Sequence, residues 1–121
     1  ICTNEALMAL AATVYMIALG KNGMTQVAQS SVRNTQYAIS KIKSIGATAK
    51  FGEKVFGEFV VTLPKNATEV RDKMISKGFL AGLPLGSYYE GMENDLLVAV
   101  TEIRTREQID AFASAMKEVL A

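Results

Sequence analysis

A lysine that carries a cofactor as a Schiff base must sit desolvated in a pocket, where its ammonium gives up a proton readily. Lys50, Lys54, Lys65, Lys73 and Lys77 stand instead at strand ends, turns and polar helix faces, so each reads as a surface lysine. Carboxylates gather once: Glu90, Glu93 and Asp95 share one loop, and Glu102 follows an apolar run. A pair of them could do acid–base work or hold a hard cation. Their spacing matches neither a calcium loop nor a glycosidase pair, and the segment reads as solvated. Glu102 differs, because it lies where a buried strand meets a helix start. Arg104 occupies the same junction, a frequent place for a carboxylate-binding arginine. The plainer alternative for Arg104 is an ion pair with Glu102 or Glu107.

The least generic segment spans residues 82–91, with glycines at 82, 86 and 91, Pro84, and the adjacent pair Tyr88 and Tyr89. Glycine lets a backbone approach a ligand or another chain closely, and tyrosines are common interface anchors. A long turn whose tyrosines cover the edge of the core is an equal alternative. The glycines lack the spacing and the strand-to-helix setting of a phosphate-binding loop. The chain has no histidine, which excludes a His-ligated zinc site, a Ser-His-Asp triad and a Cys-His dyad. Its single cysteine, Cys2, leaves no internal disulfide and suits a reducing cytosol.

These residues belong to a chain of 121 residues with a formal net charge of +1, enough for one domain and without a field to attract nucleic acid or an anionic membrane. Asn4 and Glu5 open a first helix that Gly20 ends, with turn chemistry at Lys21-Asn22-Gly23. That helix is apolar around most of its circumference, through Leu7, Met8, Leu10, Val14, Tyr15, Met16, Ile17 and Leu19. It is too short to span a bilayer core of about 30 Å, and it lacks the basic leader of a signal peptide. It reads as a soluble helix needing cover on several sides, which a domain of this size struggles to supply. The expectation is therefore a piece of a longer protein, with an exposed face along Leu7, Leu10, Val14 and Ile17.

A second helix is expected from about Met24 to Ile45, with Met24, Val27, Ala28, Ser31, Thr35, Ala38, Ile39 and Ile42 on one stripe. Strands are expected over 48–51, 55–63 and 79–82. The run from Leu96 to Val100 suits a central strand covered on both faces. Capping boxes at Asn66–Glu69 and Thr105–Gln108 open two more helices. The first of these helices turns Val70, Met74 and Ile75 inward. The second carries Ile109, Phe112, Ala113, Met116 and Leu120 on one face. The order implies an α/β chain of the two-layer α+β kind. Its sheet is antiparallel or mixed, of 3–4 strands, with helices on one face and a long N-terminal helical segment.

Several segments carry a resemblance. Ile1-Cys2-Thr3-Asn4-Glu5-Ala6-Leu7 looks like the stretch opening the last third of glycine dehydrogenase (decarboxylating) subunit 1, the alpha half of the split P-protein of the glycine cleavage system. Glu58-Phe59-Val60 resembles that family's Asn-Glu-Phe-Val strand, with Gly57 in place of Asn. Residues 82–86 with Tyr88-Tyr89 resemble its Gly-Leu-Pro-Leu-Gly-x-Tyr-Tyr loop. Residues 96–110 resemble its strand and helix bearing Thr-Glu-x-Arg-Thr. The likeness runs in order along essentially the whole chain.

The resemblance implies the small C-terminal domain of a fold-type-I pyridoxal-phosphate-dependent transferase architecture. Residues 1–45 would be a linker helix pair and 46–121 a small sheet-and-helix domain. It implies an enzyme of the cytoplasm that decarboxylates glycine and passes the aminomethyl group to the lipoyl arm of H-protein. Pyridoxal phosphate would be bound by a lysine of the partner beta subunit. This chain would carry no catalytic, cofactor-binding or metal-binding residue and would be inactive alone. Its partners would be the beta subunit, H-protein and the large domain of its own parent chain. Thr3, Asn4, Pro84, Tyr88, Tyr89, Glu102 and Arg104 stand as substrate-site or subunit-interface positions. Ser87 replaces an expected basic residue, which argues against anion binding by that loop. Leu97 falls where cysteine-desulfurase-like enzymes place a carboxylate-binding arginine. Two alternatives remain at this point. One is the same domain of another type-I enzyme such as an aminotransferase; the other is a free-standing small-molecule regulatory module with a ferredoxin-like sheet.

Overall fold

The computed structural model describes residues 5–121, so Thr3 and Asn4 lie outside the described residues. Helical periodicity runs through α1 (Glu5–Lys43), broken only at Gly20, whose φ of 60° and ψ of −176° kink the helix within one residue. Such a backbone conformation favours glycine strongly. It corrects the expected turn at Lys21-Asn22-Gly23: Gly20 redirects the axis alone, and helix resumes at once. The expected second stripe is buried only from Ser31 onward, at Ser31, Thr35, Ala38, Ile39 and Ile42. Before the kink the helix is uncovered, with Leu7, Leu10, Val14 and Ile17 between 57% and 76% exposed. By length and composition α1 could cross a membrane, yet its most apolar window has none of its residues buried in this chain. The unbroken part before Gly20 spans roughly 22 Å at about 1.5 Å per residue, short of the hydrocarbon core.

Past Lys43 the period changes to two. β1 (Thr48–Ala49) is short, and β2 (Glu58–Thr62) turns Phe59 and Val61 inward. Positive φ at Gly57 (73°) delays the strand, which had been expected from Val55. Asn66 then caps α2 (Ala67–Ser76), its side chain accepting from the Thr68 and Glu69 amides. Glu69 makes no return bond among the described contacts, so the cap is Asn66 alone. Ala67, Val70 and Met74 form the buried stripe. Ile75 falls off it and is 47% exposed, correcting the expectation that it faces the core.

The strand expected over 79–82 is displaced to β3 (Leu83–Pro84). Phe79 still belongs to the helix end, its N–H bonding to the Met74 carbonyl at 3.0 Å. Gly82 is pressed onto the neighbouring strand so closely that a Cβ would sit 2.2 Å from the Leu97 carbonyl oxygen. Pairing begins only beyond that contact. β4 (Asp95–Ala99) lies between β2 and β3, and all neighbours are antiparallel in the order β1-β2-β4-β3. Thr105 opens α3 (Arg106–Leu120) with the expected capping box, both reciprocal bonds being present.

All three helices contribute to one core. Ile39 and Ile42 of α1, Val70 and Met74 of α2, and Ile109 and Met116 of α3 pack on Phe59, Val61, Leu96 and Val98. Each such fully buried aliphatic side chain contributes about 1.5–3 kcal/mol over exposure, which is what docks the second half of α1. The opposite sheet face carries Val60 and Leu97, half-buried, and Ala99, exposed. β4 is therefore central but covered on one face, not on both as its continuous apolar run had suggested. The layers are those of the expected α/β two-layer chain, helices on one face of an antiparallel sheet.

Candidate functional site

Two regions hold the residues singled out from the sequence. The first is the connection from β4 to α3. Three polar side chains of α1 reach it. Thr35 donates to the Val100 carbonyl at 3.1 Å, and Ser31 donates to the Glu102 carboxylate at 3.2 Å. The Asn34 amide donates to both the Thr101 and Arg104 carbonyls, at 3.1 and 2.8 Å. Glu102 and Arg104 are thus brought to one seam but do not pair with each other. Nor does Arg104 pair with Glu107. Asn34 holds the Arg104 backbone and leaves the guanidinium free of an ion pair among the described residues, which corrects the ion-pair alternative. Ser31 and Thr35 were legible as stripe members. Polar residues on an otherwise apolar stripe are a signal of a satisfied buried partner. Asn34 gave no such signal.

Arg104 opens onto a cavity of about 720 Å³ lined from both faces of the sheet, by Leu83 and Leu97 on one and by Phe79, Ile109 and Phe112 on the helix side. Phe79 and Phe112 meet edge to face, with centroids 5.8 Å apart. No lysine lines this cavity. Lys41, Lys43, Lys50 and Lys77 are committed to Asp110, Glu53, Asp95 and Glu118. Lys41 is held above its ordinary pKa, first by its hydrogen bond to Asp110 and then by Tyr37. That is opposite to what a Schiff-base lysine requires. None of these four lysines offers the unpaired, desolvated amine that an aldehyde cofactor requires.

The second region is the loop between β3 and β4. Asp95, expected in a solvated acidic loop, is 1% exposed. It accepts from Lys50 Nζ and from Thr62 Oγ1, each at 2.5 Å. Burial of a carboxylate is tolerated because a cation and a hydroxyl replace its water. Glu90 and Glu93 do remain exposed. Pro84 is buried in β3, whereas Tyr88 and Tyr89 are 65% and 60% exposed. The tyrosines do not cover the core edge, so the second of the two alternatives for them falls. The pair Lys50–Asp95 joins β1 to β4 across β2. It was missed in the sequence because the two residues lie 45 positions apart.

The model of the glycine cleavage system P-protein family matches residues 1–116. The chain belongs to the glycine cleavage system P-protein family. It is 45% identical, over 97% of its length, to a probable glycine dehydrogenase (decarboxylating) subunit 1 of Maridesulfovibrio salexigens, of which it covers 27%. It is 43% identical, over its whole length, to the protein of the same name from Moorella thermoacetica, of which it covers 28%. Among solved structures, an inhibitor-bound glycine decarboxylase (P-protein) of the glycine cleavage system matches with a TM-score of 0.86 and 33% identity. That match covers 99% of this chain and 27% of the other. A NifS-like protein shares the fold at a TM-score of 0.68 and 13% identity over 79% of this chain. The chain thus spans about a quarter of the length of the P-protein relatives it matches. Family membership decides against both the aminotransferase and the regulatory-module alternatives, and the architecture is that of the fold-type-I transferases.

Proposed function

We propose that this chain is the small C-terminal domain of a subunit 1 of glycine dehydrogenase (decarboxylating). Residues 1–45 link it to a large domain of the same parent chain, and residues 46–121 form the small domain. The observation that carries this is the uncovered first half of α1. Leu7, Leu10, Val14 and Ile17 project into water from a domain whose own core is complete without them. A surface of that size is covered in a working protein, and the relatives are nearly four times as long.

In this reading the parent acts in the cytoplasm with a beta subunit. The two decarboxylate glycine and pass the aminomethyl group to the lipoyl arm of H-protein. Pyridoxal phosphate belongs to a lysine of the beta subunit, and no chemical step runs through a residue of this chain. Pro84, Tyr88, Tyr89, Glu102 and Arg104, with Thr3 and Asn4, serve as substrate-site or interface positions. Neither nucleic acid nor a membrane is a partner.

The test is reconstitution. The full parent chain, its beta partner and lipoylated H-protein together are expected to release carbon dioxide from glycine. The parent chain alone, given pyridoxal phosphate, is expected to show no aldimine absorbance. A stable aldimine on this chain, abolished by changing one of its lysines, overturns the proposal.

A further inference from the structure

Antiparallel pairing stops early on one side of β4. In such a ladder, successive residues of a strand turn their N–H and C=O groups to opposite neighbours. The Val100 N–H donates to the Gly57 carbonyl at 2.7 Å, and the Asp95 carbonyl accepts from the Leu85 N–H at 2.9 Å. Val98 and Val100 therefore bond toward β2, while Asp95, Leu97 and Ala99 turn toward β3. Leu97 is opposite Leu83. The same register sets Ala99 opposite Ala81, yet no hydrogen bond joins those two backbones among the described residues. The segments part there, and the cavity of about 720 Å³ lies between residues 78–83, the end of β4 and the first turns of α3. Its shape is fixed by the fold. Ala38, Val98 and Ile109 line it from the core, Gly82 is pressed onto the Leu97 carbonyl, and Asn34 holds the Arg104 backbone. The volume falls in the range of small-molecule sites, about 300–1,000 Å³.

The lining narrows what the cleft can hold. Phe79 and Phe112, edge to face, give it an aromatic wall. Its polar groups are mainly donors. The Arg104 guanidinium has no ion pair among the described residues. Gln108 accepts the Thr105 N–H at its Oε1, at 3.1 Å, and its Nε2 has no acceptor among the described contacts. The Ala99 N–H is the third donor. One guanidinium presents a planar fork that matches the two oxygens of a carboxylate. A doubly charged anion is disfavoured, because no second cation lines the cavity and the Glu58 carboxylate does.

We propose that the cleft between β4 and residues 78–83 binds a small monocarboxylate with an apolar body, the carboxylate on Arg104 and Gln108 and the body against Phe79 and Phe112. Glycine has no apolar body, so this ligand is not the substrate of the proposed reaction. The inference does not depend on assembly with a beta subunit.

The experiment titrates the full parent chain, without its beta partner, with three probes and follows backbone amide shifts. Phenylacetate carries both parts of the proposed ligand, phenylacetamide lacks the charge, and acetate lacks the body. Phenylacetate is expected to shift the Ala99 and Gly82 amides. Phenylacetamide and acetate are each expected to bind at least tenfold more weakly, the first for want of a charge-assisted bond and the second for want of apolar burial. Arg104→Gln is expected to bring phenylacetate down to the affinity of phenylacetamide and to leave phenylacetamide unchanged. The Arg104 side chain is exposed and its backbone is held by Asn34, so the variant should melt with wild-type. The comparison of the three probes on the wild-type chain decides the matter even if the variant folds poorly. Absence of phenylacetate binding, equal affinity for phenylacetamide, or shifts that leave Ala99 and Gly82 untouched each overturn the inference. A wild-type chain that binds none of the probes, together with a lowered melting temperature in Arg104→Gln, assigns the cleft to a carboxylate of the parent's own chain and overturns it too. Failure to release carbon dioxide in the reconstitution, with phenylacetate still bound through Arg104, overturns the proposed function and leaves this site standing.

Discussion

Removing the two ends of the Lys50–Asp95 pair should have unequal effects. Asp95 is 2% exposed at its side chain and Lys50 is 31% exposed. Lys50→Met leaves a buried carboxylate with Thr62 as its remaining side-chain donor. Breaking a buried pair in this way costs about 3–5 kcal/mol. Water can reach the site along the path Lys50 occupied, so a value of about 3 kcal/mol is expected. Asp95→Asn keeps the shape, keeps an acceptor for Thr62 and leaves Lys50 able to turn toward solvent. It should cost about 1–2 kcal/mol, one charge-assisted bond. The double variant should recover part of the Lys50→Met loss, since no buried charge is then stranded. Hydrogen exchange in the intact parent reads this locally. The Leu85 amide donates to the Asp95 carbonyl and the Leu63 amide to the Asn94 carbonyl. Their protection should fall about a hundredfold in Lys50→Met and about tenfold in Asp95→Asn, at about 1.4 kcal/mol per decade. Equal losses, or a greater loss in Asp95→Asn, refute the argument that the stranded carboxylate is the costly species.

Gly82→Ala should detach β3 from β4, because the added Cβ would overlap the Leu97 carbonyl oxygen at 2.2 Å and φ is 143°. A cost of about 3 kcal/mol is expected. Loss of protection at β3 and the β3–β4 loop, with α1–α3 packing retained, is the check. The surface cluster Lys41–Asp110–Tyr37 should make the α1–α3 contact pH-dependent at both ends. Asp110 is held below the usual aspartate range, first by its bond from Lys41 and then by Tyr37. Its contribution is complete above the ordinary aspartate pKa and is lost as pH falls through the depressed value. Lys41 is raised, so its contribution is complete below the ordinary lysine pKa and is lost as pH rises through the raised value. Between those limits the thermal midpoint of the chain should not move on account of this cluster, and Asp110→Asn should abolish the acid-side dependence that it contributes.

Much of this fold was legible because period and capping agree. Phe59 and Val61 alternate against Leu96 and Val98, and Thr105 with Gln108 opens α3 as its spacing requires. Apart from the break at Gly20, the main failures share one cause, a tertiary contact overriding a local signal. Gly20 and the turn-like Lys21-Asn22-Gly23 suggest a loop, but a single permissive residue turns the axis and the helix continues. Phe79 to Ala81 looks like strand, but Gly82 must first close onto the Leu97 carbonyl. At the candidate site the junction of Glu102 and Arg104 was placed from sequence, while their partners were not. Ser31 and Asn34 lie about 70 residues away, and only packing of α1 brings them there. Asp95 looked like any loop acid because its cation sits on another strand.

The break at Gly20 also separates two mechanical duties of α1. Residues from Ser31 onward are packed on the core and pinned through Asn34 and Thr35 to the β4–α3 connection. Residues before it make no such ties among the described contacts. Glycine tolerates that backbone conformation without strain, so the angle between the leading arm and the small domain is set at this one residue while both halves stay helical. A residue with a side chain there would be strained at that φ and ψ and would press the arm toward a different direction.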